Sequence, residues 1–211
     1  ILSIVPFWRY GQHYRLVEEE DYEFIFSLRN DQERGRHLSQ INNDAESQRI
    51  WIKNYKLRER SGDEFYFIAL DPANGERMGV FRMYSFTNGS FSTGSWLYKP
   101  GLKNQPIIGN IVGKEIGFDF LKYEKCIFDV RKENLKVLTY HKLFNPVLVS
   151  EDDLNFYFEL SKASFEKTKS RILTVWMRII IITSLKEYHG HSFRIRYTVT
   201  ENSVWYLYLA I

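Results

Sequence analysis

Between residues 62 and 99 the chain carries three apolar runs separated by two tight-turn signals, and this stretch constrains the fold more than any other. Glu64–Leu70 is the first run. Asp71-Pro72-Ala73-Asn74-Gly75 follows it, and Asn-Gly supplies the positive φ that tight hairpins need. Arg77–Phe86 is the second run, Thr87–Gly89 the second turn, and Ser90–Tyr98 the third run. Three strands joined in this way form an antiparallel meander. Aromatic residues make up 17% of the chain. Runs such as Phe65-Tyr66-Phe67 and Phe156-Tyr157-Phe158 suit strands better than a base-stacking surface.

The flanks read mostly as helices. Tyr14–Val17 is a short opening strand, and Glu18–Leu28 is a helix with Tyr22, Ile25, Phe26 and Leu28 on its apolar side. Asp44 caps a second helix, Ala45–Arg60, with Ile50, Trp51, Tyr55 and Leu57 expected toward the core. After the meander, Pro106 suits the first turn of a helix reaching Lys122. Its expected buried face is Ile108, Ile111, Val112, Ile116, Phe120 and Leu121. Cys126–Arg131 is a strand, Asn134–Phe144 a helix with Asn134 as its cap, and Val147–Val149 and Phe156–Leu160 are closing strands. The order βααβββαβαββ predicts an α/β protein with a mixed, mainly antiparallel sheet flanked by helices on both faces.

Residues 1–170 make one expected domain, and residues 171–211 a C-terminal extension. The formal net charge of +3 resides in that extension, where Arg171, Arg178, Lys186, Arg194 and Arg196 face only Glu187 and Glu201. Ile179–Ile182, Phe193–Val199 and Val204–Leu209 read there as strand-like. A small, interspersed charge argues against a nucleic-acid partner. No run reaches the ~18 apolar residues of a membrane span. Ile1–Phe7 lacks the basic start and apolar stretch of a secretory leader.

Cys126 is the one cysteine, so no disulfide framework forms within the chain, a reducing cytoplasm is the expected compartment, and Cys126 reads as a buried small hydrophobe. His189-Gly190-His191 has no third ligand or carboxylate nearby, so no metal is expected. Ser95 lacks a G-x-S-x-G setting and there is no Walker loop, which excludes the common hydrolase and P-loop readings.

Several local motifs, in order, resemble those of the GNAT acetyltransferase superfamily over about residues 12–168. Met78-Gly79-Val80 is similar to the family's "iG" strand, and Gly94-Ser95-Trp96-Leu97 to its "G-y-W-l" strand, as found among ribosomal-protein alanine acetyltransferases. Val130-Arg131-Lys132-Glu133-Asn134 followed by Val137 resembles the next strand and the "N-x-x-A/S/V" that opens a helix. Val137–Phe144 and Leu28-Arg29-Asn30 resemble text from amino-sugar acetyltransferases of bacterial surface-polysaccharide pathways.

The resemblance implies acetyl-CoA as cosubstrate and a primary amine, most simply a nucleotide-linked amino sugar, as acceptor. It implies that strands matching Ser90–Tyr98 and Cys126–Arg131 splay apart. Coenzyme A then pairs with exposed backbone at Trp96, Leu97, Tyr98 and Lys99, and its pyrophosphate sits on amides of the Gln105–Gly113 segment. Here the chain departs from the family's dense glycine loop: Gln105, Gly109, Asn110 and Gly113 serve as cofactor residues, or the glycines are there for close packing.

Asn134 matches the residue that binds the pantetheine arm, and also reads as a plain helix cap. His141 matches a position often held by a Tyr that protonates the departing thiolate. His141 or Tyr140 is the candidate, since an imidazole titrates near neutrality and can be cationic before the step. Arg29 can bind an acidic substrate through its fork or simply pair with Asp31 or Glu33. Tyr66 and Tyr84 line an acceptor pocket or belong to the sheet core. Glu64, Asp119 and Glu133 are conceivable bases. Rival readings are an acetylase of protein N-termini or small amines, and an acyl-CoA-binding protein without turnover; a homodimer is compatible with each.

Overall fold

The structure, a computed structural model, describes residues 1–32, 35 and 44–187. Its centre is an eight-stranded sheet in the order β1-β2-β3-β4-β5-β6-β8-β7. The strands are β1 (Phe7–Arg9), β2 (Gln12–Leu16), β3 (Glu64–Leu70), β4 (Arg77–Thr87), β5 (Ser90–Tyr98), β6 (Lys125–Arg131), β7 (Val147–Glu151) and β8 (Asn155–Ser161). The helices are α1 (Tyr22–Arg29), α2 (Ala45–Ser61), α3 (Gln105–Glu115), α4 (Leu135–Lys142) and α5 (Lys162–Glu187). Every neighbouring pair of strands is antiparallel except β5 and β6, which run parallel. This is the mixed α/β arrangement expected from the sequence, with an additional first strand.

That strand, β1, forms a hairpin with β2 through Tyr10 and Gly11, both in the left-handed region at φ 48° and 74°. A Tyr at positive φ is uncommon, so the turn carries no sequence signal. The meander appears as read, with Phe67 paired to Phe81 and Tyr84 to Ser92. The first helix is shorter than expected: Glu19–Asp21 is a 3₁₀ turn, and the Glu18 amide donates to Asp21 Oδ2 at 2.8 Å to fix the start.

Helix α2 begins where Asp44 Oδ1 accepts from the Ser47 amide at 2.6 Å and ends at Gly62, φ 82°. Its buried face, however, is Gln48, Ile52, Tyr55 and Glu59. Ile50 and Leu57, expected inward, are exposed. The phase is set by Tyr55, whose hydroxyl bonds Glu59 and accepts the Tyr66 amide at 2.9 Å, so two polar residues turn inward with it. Likewise Phe120, expected inward, is exposed, and Phe118 is buried in its place. After α3 the backbone passes into a π turn, Ile116–Phe120, closed by the Leu121 amide on Ile116 O. An i→i+5 turn rotates every later side chain out of the α-helical phase.

The sheet separates two apolar layers. Ile25, Leu28, Ile52, Tyr55, Tyr66, Ile68 and Leu97 cluster beneath α1 and α2. On the opposite face Phe67 stacks on Phe81 with ring centres 4.9 Å apart, and Phe118 packs on Phe91 and Phe165 at 5.2 and 5.1 Å.

The chain divides into a unit Ile1–Thr174, which holds the sheet, and a unit Val175–Ile211. Ile179–Ile182, read as a strand, lie in helix α5. Helix elongation is cheap once a nucleus exists, and Lys162–Leu173 supplies one, so four β-branched residues do not stop it. The expected strands Phe193–Val199 and Val204–Leu209, and His189-Gly190-His191, lie outside the described residues. Among the described residues no helix is long and apolar enough to cross a membrane, and no cluster of three or more His, Cys, Asp or Glu is placed to hold a metal.

Candidate functional site

Strands β5 and β6 pair only along Ser90–Ser92 and Lys125–Ile127. Beyond that, β6 stays zipped to β8 as far as Arg131, while β5 turns away with β4. The cause is local. Gly94 opposes Arg82 and Leu97 opposes Val80, so Ser95 and Trp96 together face only Phe81. Ser95 takes φ 47°. This two-against-one bulge bends β5 and leaves backbone without a ladder partner.

The wedge is a cleft of about 350 Å³. Its walls come from β4 (Arg82, Tyr84), β5 (Ser95, Trp96, Leu97), α3 (Asn110, Gly113), β6 (Phe128, Asp129, Arg131), α4 (Asn134, Val137, His141) and β8 (Asn155). Trp96 lines it as well. Its Nε1 donates to Pro106 O at 2.8 Å, and its ring lies 5.2 Å from Tyr140 and 6.0 Å from His141. Asn134 caps α4, with Oδ1 accepting from the Val137 amide at 3.3 Å, and lines the cleft too. The cap and cleft readings therefore hold together. Asn134, Val137 and His141 share the cleft face, as their spacing requires.

His141 is buried, its ring 4.4 Å from Phe128, and its Nδ1 has no hydrogen-bond partner. Burial, reinforced by the Lys114 ammonium, holds the imidazole well below its ordinary pKa. The side chain is therefore neutral at neutral pH, contrary to the cationic form expected. Tyr140 does not line the cleft; its hydroxyl donates to Asn110 Oδ1 at 3.1 Å, and burial raises its pKa.

The other expected residues divide. Trp96, Leu97, Asn110, Gly113, Asn134 and Tyr84 reach the cleft. Tyr98 is buried with its hydroxyl 3.4 Å from Gln12 Oε1, and Lys99 pairs with Glu76 at 3.5 Å. Gln105, at the start of α3, accepts from the Lys103 amide of the preceding loop at 3.2 Å. Gly109 packs on Tyr98, whose hydroxyl would lie 1.9 Å from an added Cβ.

Tyr66 sits in the core against Tyr55 and Trp51, its pKa pushed up to about 12 by burial. Arg29 lies on the same side, half-buried, with burial lowering its pKa. Among the conceivable bases, Glu64 is held by Arg58 at 2.6 Å and Arg82 at 3.3 Å, and Asp119 pairs with Lys162 and Lys169 at 3.3 and 3.5 Å. Neither lines the cleft, nor does the exposed Glu133; Asp129 does. Cys126 is buried, which raises its thiol pKa.

Sequence reading missed Arg82, Asp129, Arg131 and Asn155. The alternation of β6, with Phe128 and Val130 buried and Asp129 and Arg131 more exposed, marks the two as side chains outside the core, although all four residues line the cleft.

Solved structures share this fold. The chain is similar to apo FdhC, described as a nucleotide-linked sugar GNAT, at 35% identity over 77% of this chain and 93% of that one, with a TM-score of 0.68. It shares its fold with the ribosomal-protein-S5-alanine acetyltransferase of Vibrio fischeri, at 13% identity over 75% and 97% of the two chains and a TM-score of 0.62. It also shares its fold with the spermidine N-acetyltransferase of Vibrio cholerae, solved with CoA and spermine, at 14% identity over 74% and 99% and a TM-score of 0.61. No protein-family model matches the chain, and no curated protein sequence does. The first likeness spans nearly all of its relative at more than 30% identity, and on that ground the chain belongs to the GNAT superfamily of acyl-CoA-dependent N-acyltransferases.

Proposed function

We propose that this protein transfers an acetyl group from acetyl-CoA to the primary amine of an amino sugar carried on a nucleotide, in cytoplasmic surface-polysaccharide synthesis. The observation that carries the reading is the wedge between β5 and β6. Its unpaired backbone beside Ser95–Leu97 suits an extended amide-bearing arm, and Asn134 and Val137 face it from α4. The first turn of α3 has no side-chain cap and no acidic residue, so its N–H groups and dipole are free to favour a pyrophosphate.

Acetyl-CoA supplies an activated carbonyl; the residues supply position and charge. Backbone N–H groups at the bulge polarise the carbonyl oxygen. Asp129 is the carboxylate on the cleft wall and takes the amine's proton as the new C–N bond forms. Arg82 and Arg131 line the same cleft. A cleft wall with two guanidinium groups, of which Arg82 also reaches Glu64 at 3.3 Å, suits an acceptor bearing a diphosphate better than a polyamine or a peptide N-terminus.

Isothermal titration with acetyl-CoA, followed by thiol release over a panel of nucleotide-linked amino sugars, spermidine and short peptides, tests the reading. Binding, with release fastest on a nucleotide-linked sugar, is expected. Binding with no release on any amine would favour the acyl-CoA-binding alternative, and release fastest on a peptide or polyamine would replace the acceptor.

A further inference from the structure

Lys114 lies near the end of α3 with 0% of its surface exposed. A buried ammonium is costly unless an anion accompanies it. Among the described residues it has no carboxylate partner: its hydrogen bond goes to Asn110 Oδ1, and the adjacent Glu115 pairs instead with Arg9 at 3.0 Å and Lys169 at 3.2 Å. From β6 the groups facing Lys114 are the Cys126 thiol and the Phe128 ring, whose centre is 5.5 Å from Nζ. From α4 they are His141, which feels its charge, and Tyr140, which shares Asn110 Oδ1.

Asn110, Phe128 and His141 line the cleft, so the ammonium stands one side chain behind the wall. Asn110 Oδ1 is occupied by two donors, which leaves the N–H groups of that amide for the cleft.

This placement meets a need of the chemistry, on the acetyl-transfer reading given above. As the C–N bond forms and the C–S bond breaks, the electron pair of the latter goes to sulfur. The amine's proton goes to Asp129, and the thiolate takes a proton from water as it leaves. His141, being neutral, brings no charge to offset that anion. We infer that Lys114 is the positive charge that stabilises the departing thiolate, a positioning residue acting from behind the cleft wall and through the amide of Asn110. Burial lowers the Lys114 pKa to about 8, so the side chain is mainly an ammonium at pH 7, and a charge in a site shielded from water acts far more strongly than one in solvent.

A lysine kept for structure alone would be replaced by Met with no loss, since an apolar chain of similar length removes the desolvation cost. The experiment uses the full chain and Lys114→Met. It measures thermal unfolding, kcat and KM, and the affinities of CoA and desulfo-CoA from pH 6 to 8. In the unaltered chain, CoA should gain on desulfo-CoA as pH rises, because the bound thiol ionises beside the ammonium. In K114M that ratio should be flat, with kcat down roughly 10–100-fold and KM for acetyl-CoA within about 3-fold, while the melting temperature holds or rises.

A folded K114M with unchanged kcat and an unchanged ratio overturns the inference. So does a flat ratio in the unaltered chain, a measurement that stands even if the variant does not fold. An unaltered chain that binds neither compound defeats the acetyl-transfer reading itself, which is a different result from binding both with a flat ratio.

Discussion

His141 shows how far a residue's surroundings can reverse what its identity suggests. An imidazole titrates near neutrality in water, and on that ground the sequence allows this position to become cationic and act as the acid, or to be a half-buried polar residue beside Tyr140. The fold wedges it between Phe128, Trp96 and Tyr140, with Lys114 nearby, and both burial and that charge disfavour protonation. The consequence is visible in stability. In the unfolded chain His141 takes up a proton near pH 6.5; in the folded chain it does so only at much lower pH. The unfolded state therefore binds more protons below about pH 6.5, and stability falls with pH there by up to about 1.4 kcal/mol per unit from this group. Thermal unfolding of the unaltered chain and of His141→Gln at pH 7.0 and 5.5 measures it. The unaltered protein should lose more on acidification than the variant, and equal losses would show that His141 is protonated in the fold. Nothing in the linear sequence marks Lys114 as its neighbour. The two lie in different helices, and only the approach of α4 to α3 brings them together.

At the scale of elements, legibility followed how local the determining signal was. The meander was readable because Asn74-Gly75 and the turn at Gly89 state their own backbone requirements. The bulge at Ser95 was not, since it depends on register against β4. The inward phase of α2, the π turn after α3 and the Tyr10–Gly11 hairpin were hidden for the same reason: each is decided by a partner distant in sequence or by an uncommon backbone state.

Gly109 illustrates the difference between a motif and its use. The resemblance offers it to the pyrophosphate, whereas the fold presses it on Tyr98. Gly109→Ala would bring a Cβ to 1.9 Å from the Tyr98 hydroxyl and 2.7 Å from Cζ, and that ring is itself buried. Helix propensity gains up to ~1 kcal/mol from the change, but overpacking costs about 1–3 kcal/mol, and a contact this close lies at the upper end. The melting temperature should fall by several degrees while the folded fraction keeps its affinity for acetyl-CoA. Unchanged stability with weakened binding would return Gly109 to the phosphate cradle.

For the whole molecule, the question is where the folding unit closes. The described core runs from Tyr14 to Phe165, and Phe165 stacks on Phe144 and packs at a tilt on Phe118 on the face of the sheet carrying α3. Among the described residues the last cross-element bonds of α5 follow within one turn: Thr168 Oγ1 donates to Leu143 O at 3.1 Å, and Lys169 reaches Glu115 at 3.2 Å and Asp119 at 3.5 Å. Past these, the hydrogen bonds of Ser170 and Thr174 return to carbonyls of α5 itself. The division of the chain after Thr174 agrees with this.

Among the described residues none lining the cleft lies beyond Asn155, so both the fold and the site should survive a chain ended at Thr174. Its melting temperature should lie within a few degrees of the full chain's, because no described tertiary contact of the core is removed. Its affinity for acetyl-CoA should be unchanged within about 3-fold, for a loss of one cleft contact would already exceed that. Thermal unfolding and titration of the two forms side by side decide it. If the shortened chain melts far lower or fails to bind, residues 175–211 complete the enzyme rather than extend it.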